Sequence, residues 1–333
     1  MQLKTALYRV LRDAGIGLVL ILMLVFFSLS ADHFTSLNNI KNVFTQITIN
    51  TILAVGMTYV ILAGEIDLSV GSVMALAAVV AAKIMTDPSL STAQGLILGI
   101  VVALGVGTLS GFLNGYVTVR WKLPSFIVTL GMLNVARGAA LYITEARTIF
   151  GLPKVLTDFG GGTFLRDIFP YIFVVALVLV VIGQFVLSRT VFGRHIFAIG
   201  NNEEAVRLSG HNPGRYKIVV FMIAGLTAGI AGVIYLARLT VATPNLGSGF
   251  ELNAIAAVII GGTSLSGGRG SVIGTLLGAT LMGVLTNGLI LMGVGDFVRQ
   301  MVTGLIIVVA VIFDAYRAKF TLGSPMIAEQ GTD

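Results

Sequence analysis

Apolar runs of about 20 residues alternate with short polar breaks along most of the chain, and a helix of that length crosses the hydrocarbon core of a bilayer. The breaks predict helices over 14–30, 43–63, 69–86, 94–118, 124–143, 168–187, 218–237, 251–262, 271–291 and 297–314. The fold class this implies is all-α. It is a polytopic membrane bundle of about ten transmembrane helices in a single domain over 1–333, with the spans covering about 14–316. The eighth run is short; it either extends back through a glycine-rich entry or re-enters the membrane part-way. Residues 188–217 form the longest loop expected on the cytoplasmic side, and 317–333 read as a flexible cytoplasmic tail.

Composition agrees with the pattern. Of 333 residues, 56% are hydrophobic and 11% charged, and the mean hydropathy is +0.97; a soluble chain carries about 25% charged residues. Lys4, Arg9 and Arg12 precede the apolar run Ala14–Leu29, but no small-residue cleavage site follows, so the run reads as a retained first span rather than a signal peptide. With the N-terminus inside, thirteen of the twenty-one Lys and Arg residues fall on the inner side, which predicts cytoplasmic N- and C-termini. Cysteine is absent, excluding disulfides and thiolate metal sites, and the three histidines show no metal-ligand spacing. The net charge of +6 comes without a basic stripe interleaved with aromatics. It reads as membrane topology, not nucleic-acid binding.

Two long polar stretches interrupt the apolar pattern. The first, Gly193–Lys217, contains "NNEEAVRLSG". Asn201 or Asn202 can cap a helix whose first turn carries Glu203 and Glu204, followed by Ala205 and Arg207. Gly210 stops it, and Pro213 prevents its continuation. A helix of about two turns does not persist alone; it either docks on something or is a bland surface loop. The second stretch, Thr144–Asp167, combines Arg147, Lys154 and Arg166 with Phe150, Phe159 and Phe164. It either caps the bundle or receives an external partner.

Glycine-rich breaks carry the remaining candidates. "GEIDLSVGS" brings Glu65, Asp67 and Ser69 to the edge of two apolar runs, and "IIGGTSLSGGRGS" brings Thr263 and Ser264 to a similar place about 200 residues later. Ionisable groups near hydrocarbon face a protein interior or a water path, and broken backbone at membrane depth needs burial in protein or a cavity. The two breaks are either packed turns or broken helices along a translocation path, and their similarity suggests an internal repeat. No Gly-Lys dipeptide occurs, so the second break is no phosphate loop. Gly107, Gly111 and Gly115, and again Gly274 and Gly278, stand at four-residue spacing, a ridge for close helix packing or an oligomer contact. Asn114 and Asn287 are polar positions inside spans that either bond neighbouring helices or line a path.

"AVGMTYVILAGEIDLSVGS", "GRHIFAIGNNEEAVRLSG" and "GFELNAIAAVIIGGTSLSGGRGSVIGTLLGA" together resemble the permeases of bacterial ABC sugar importers, the ribose permease group in particular, from about residue 15 to 316. The resemblance implies a subunit of the bacterial inner membrane, itself no enzyme, that dimerises with a second permease subunit, most simply a copy of itself. It also implies two cytoplasmic ATPase subunits that carry the ATP and Mg, and a periplasmic sugar-binding protein. No cofactor is implied for this chain. Within "NNEEAVRLSG", Glu204, Ala205 and Gly210 match the family's ATPase-coupling loop, while Val206 replaces its second alanine. Ribose is the implied substrate, with another pentose, a hexose, inositol or autoinducer-2 as alternatives. A self-contained channel or ion-coupled transporter is the reading from a different class; it accounts for Glu65 and Asp67 but leaves the soluble helix idle.

Overall fold

The computed structural model describes residues 2–165 and 167–322, and side chains for 15–165 and 167–312. The chain is almost entirely helical. Its helices are α1 (Gln2–Ser30), α2 (Leu37–Leu62), α3 (Val70–Met85), α4 (Thr92–Trp121), α5 (Ser125–Thr144), α6 (Lys154–Gly161), α7 (Tyr171–Arg189), α8 (Val191–Asn201), α9 (Glu203–Leu208), α10 (Pro213–Leu239), α11 (Phe250–Ile260), α12 (Val272–Leu291) and α13 (Asp296–Leu322). Six of them, α2, α4, α5, α7, α10 and α12, are long and apolar enough to cross a membrane, and Gly15–Ser30, α3 and α11 are shorter apolar helices. The all-α expectation meets one small exception, an antiparallel pair of two-residue strands, β1 (Thr163–Phe164) and β2 (Phe169–Pro170).

Several boundaries differ from the hydropathy breaks because side chains cap the helices. Ser36 accepts the Asn39 amide and starts α2 ahead of its apolar run. Ser91 and Gln94 form a capping box at the start of α4. The last helix runs on through Leu322, into the segment expected to be a tail; residues 323–333 lie outside the described residues.

The core is built around α2, which is buried from Ile47 to Leu62. The Tyr59 hydroxyl donates to the Gly183 carbonyl of α7 at 2.5 Å. Thr58 and Thr275 of α12 share a hydroxyl contact at 2.8 Å. The glycine ridges pack helices inside this subunit. A β-carbon on Gly107 or Gly111 would strike the carbonyls of Gly225 or Phe221 on α10, and one on Gly274 or Gly278 those of Gly261 or Ala257 at α11. In lipid no water drives helices together, so such backbone approach is where dispersion contacts are gained.

Candidate functional site

The two glycine-rich breaks are built alike. Gly64 ends α2 with φ +78° and Gly262 follows α11 with φ +87°, left-handed conformations natural to glycine. Gly64 and Glu65 donate to the Ile61 and Val60 carbonyls, and Gly262 and Thr263 donate to the Ile259 and Val258 carbonyls. The same helix ending thus recurs at both breaks, as it does after α5, α9 and α12. The breaks also touch, since Gly268 N donates to the Leu62 carbonyl at 2.9 Å.

After Gly64 the chain runs without regular structure through Glu65–Asp67 before α3 begins. The amides of Ile66 and Leu68 find their partners on α5. Ile66 N donates to Ser125 Oγ and Leu68 N to Thr129 Oγ1, each at 3.1 Å. Asp67 is buried, and its Oδ1 accepts Ser69 N at 2.8 Å and Ser69 Oγ at 2.6 Å. Asn114 of α4 donates to Ser69 Oγ at 2.9 Å. The sequence therefore marks Asp67, Ser69 and Asn114 separately, and the structure joins them in one buried chain across α3 and α4.

The polar stretch at 193–217 folds as two helices, α8 and α9. Asn202, not Asn201, caps α9, accepting Ala205 N at 3.0 Å. Asn201 instead closes α8 and donates to the Gly268 carbonyl at 3.1 Å, so α8 is tied to the second glycine-rich break. Gly200 sits so close to Leu62 O and Gly268 that no side chain fits there. Gly210 takes φ +87° after α9, and Pro213 opens α10. Val206, the departure from the family pattern, is the one buried residue of α9. Glu204, Ala205 and Arg207 are exposed, as is Leu208 at 79%. Glu204 and Arg207 pair along the helix, and that hydrogen bond holds the Arg207 guanidinium above its ordinary pKa.

Lys217 provides a contact that the sequence leaves unassigned. Its ammonium lies 2.6 Å from Glu65 Oε1 and 2.7 Å from Glu203 Oε2. Glu65 thus pairs with α10 rather than facing water, and α8–α9 is attached to both glycine-rich breaks. Only spatial neighbourhood could reveal this, because Glu65 and Lys217 are remote in sequence. Two of the three histidines also meet, His195 lying edge-on to His211 with ring centroids 4.3 Å apart.

Other candidates fall elsewhere. Thr263 is fully buried beside Gly270, its hydroxyl without a hydrogen bond among the described residues, and Ser264 N donates to the Arg269 carbonyl within the loop. Asn287 and Asn39 exchange amide hydrogen bonds at 2.9 Å in both directions, which fits the helix-bridging alternative rather than a path-lining one. Arg147 and Lys154 are exposed at the far end of α10, where α6 packs Gly160 against Ala237, and Ile149 bridges to Ala242. Arg166 lies outside the described residues. Arg137, inside α5, donates to the carbonyls of Pro244 and Leu246 at 2.5 and 2.7 Å and so holds the loop that enters α11. Among the described residues no group of three or more His, Cys, Asp or Glu could hold a metal ion.

Comparison with known proteins gives a consistent answer. A family model described as "Branched-chain amino acid transport system / permease component" matches residues 39–311. The ribose import permease protein RbsC of Escherichia coli (strain K12) is 39% identical over 298 residues, 89% of this chain and 91% of the relative. RbsC of Bacillus subtilis (strain 168) is 41% identical over 311 residues, 92% and 93% of the two chains. The L-arabinose ABC transporter permease protein AraH of Azospirillum brasilense is 35% identical over 314 residues, 94% and 91%. No solved structure matches the chain.

Proposed function

We propose, from the premise that this chain belongs to the branched-chain amino acid transport system / permease component family, that it is the membrane-spanning permease of an ATP-driven ABC importer. Its substrate is a monosaccharide, and the ribose permeases of Escherichia coli and Bacillus subtilis among its relatives favour ribose. About ten helices cross the bacterial inner membrane: the six long ones, the three shorter apolar helices and α13. Both termini lie in the cytoplasm. Two copies form the pathway, a cytoplasmic ABC ATPase binds and hydrolyses ATP with Mg, and a periplasmic sugar-binding protein delivers the cargo to the face carrying Arg147 and Lys154.

The observation that carries this reading is α9: a capped helix with exposed Glu204, Ala205, Arg207 and Leu208, rooted by Asn201, Val206 and Glu203 in the bundle. An idle surface helix needs no such roots. One that receives a push from a partner does, because force reaches the membrane only through fixed contacts. Movement of α8–α9 would then reach both breaks and shift the helices around Glu65, Asp67, Ser69, Asn114, Thr263 and Ser264 between inward and outward access.

The test is reconstitution with an ABC ATPase and a periplasmic sugar-binding protein from the same organism. Ribose uptake that requires ATP and both partners is the expected result. Uptake driven by an ion gradient in their absence would replace the importer with a secondary transporter.

A further inference from the structure

Glu65, Glu203 and Lys217 belong to three different elements, and two carboxylates share one cation among them. Lys217 and Glu65 are nearly dry, with side chains 14% and 11% exposed, whereas Glu203 is 52% exposed. That asymmetry matters. A partly buried ion pair is screened little, and stripping one partner from it is costly; an exposed contact contributes far less. The Lys217–Glu65 contact is therefore the firm half of the cluster, and Lys217–Glu203 the half that opens first. Lysine suits the position because its compact ammonium carries three donors that can serve two acceptors at once.

The firm half leads into the membrane. Glu65 begins the non-helical segment whose next residues are hooked to α5 through Ser125 and Thr129, and to α4 through Ser69 and Asn114. A displacement delivered at Glu65 has no slack backbone in which to dissipate. The other attachment of α8–α9, through Asn201, ends on the Gly268 carbonyl and reaches a different loop.

We propose that Lys217 is the positioning residue through which displacement of α9 reaches the segment Glu65–Ser69, and so sets how much sugar moves per ATP hydrolysed. This rests on the reading of α9 as the ATPase-coupling helix. Lys217 touches neither sugar nor nucleotide in this role; it joins the two moving parts.

The test uses the complete complex of permease, ATPase and binding protein in vesicles, with ribose uptake and ATP hydrolysis measured together. Lys217→Met should preserve ATPase recovery and lower the ribose moved per ATP by about fivefold or more, the lower edge of ordinary coupling energies. Lys217→Glu should do the same or worse. Lys217→Arg keeps a cation whose several donors can serve both carboxylates, and should hold the ratio near that of the unaltered complex. An unchanged ratio in Lys217→Met would overturn the proposal. So would a Lys217→Arg variant that accumulates normally but is as uncoupled as Lys217→Met, or loss of folded protein in all three variants, which would make the cluster a requirement of folding. Failure of the unaltered complex to recover the ATPase would instead remove the importer reading itself.

Discussion

At Asp67 one side-chain oxygen holds both the amide and the hydroxyl of Ser69, and Asn114 rests on that hydroxyl. Asp67→Ala strands the Ser69 amide in a buried place, where an orphan donor costs about 1–3 kcal/mol. Asp67→Asn keeps an oxygen that accepts and should be milder. The order wild type, Asn, Ala should hold both for thermal unfolding in detergent and for ribose uptake, while ATPase recovery stays constant. Equal uptake for all three would reduce the site to a simple turn. An aspartate just ahead of a helix can accept amides that have no partner within the helix; here it takes Ser69, through both its polar groups.

Helices here depend on what caps them and on how near their backbones come. Asn202→Ala removes the cap of α9, worth about 0.5–2 kcal/mol of helix stability, and should weaken recovery of the ATPase without lowering the amount of protein in the membrane. Glu204→Lys leaves the buried face of α9 untouched and costs only the dipole and Arg207 terms, about 1 kcal/mol, so the protein should still accumulate, yet uptake should be lost. Gly111→Ile acts between elements: its side chain would meet the Phe221 carbonyl of α10, and overpacking of this kind costs about 1–3 kcal/mol or more, read as a lowered melting temperature. Much of this was legible in the sequence. Asn-Asn-Glu-Glu before a short helix, and Gly210 with Pro213 after it, are local signals for α9 and its limits. The glycine ridge of α4 was equally plain. The central place of α2 was not, because a helix apolar on nearly all sides has no periodicity to say which neighbours surround it. Nor was the Glu65–Lys217 pair, since charge complementarity between distant segments becomes visible only once the chain is folded.

Over the whole molecule, α10 sets the distance between the two functional ends. Lys217, beside α9, and Ala237, beneath α6, are twenty residues apart on one helix, about 30 Å at 1.5 Å per residue. That is the thickness of a hydrocarbon core. Single cysteines are easy to interpret in a chain that has none. Ala205→Cys should react with an impermeant maleimide only once the inner face is opened, and Thr157→Cys should label from outside in intact spheroplasts. The reverse pattern would invert the topology and remove the docking face from the periplasm. The division of α9 into a rooted face and a free one bears on a different matter, the interchangeability of parts. Glu204, Ala205, Arg207 and Leu208 face outward, while Asn201, Glu203 and Val206 hold the bundle. Exchanging the four outward residues for those of a relative that uses another ATPase should redirect the permease to that motor while its cargo stays the same. Exchanging the rooted three should leave it with no motor at all.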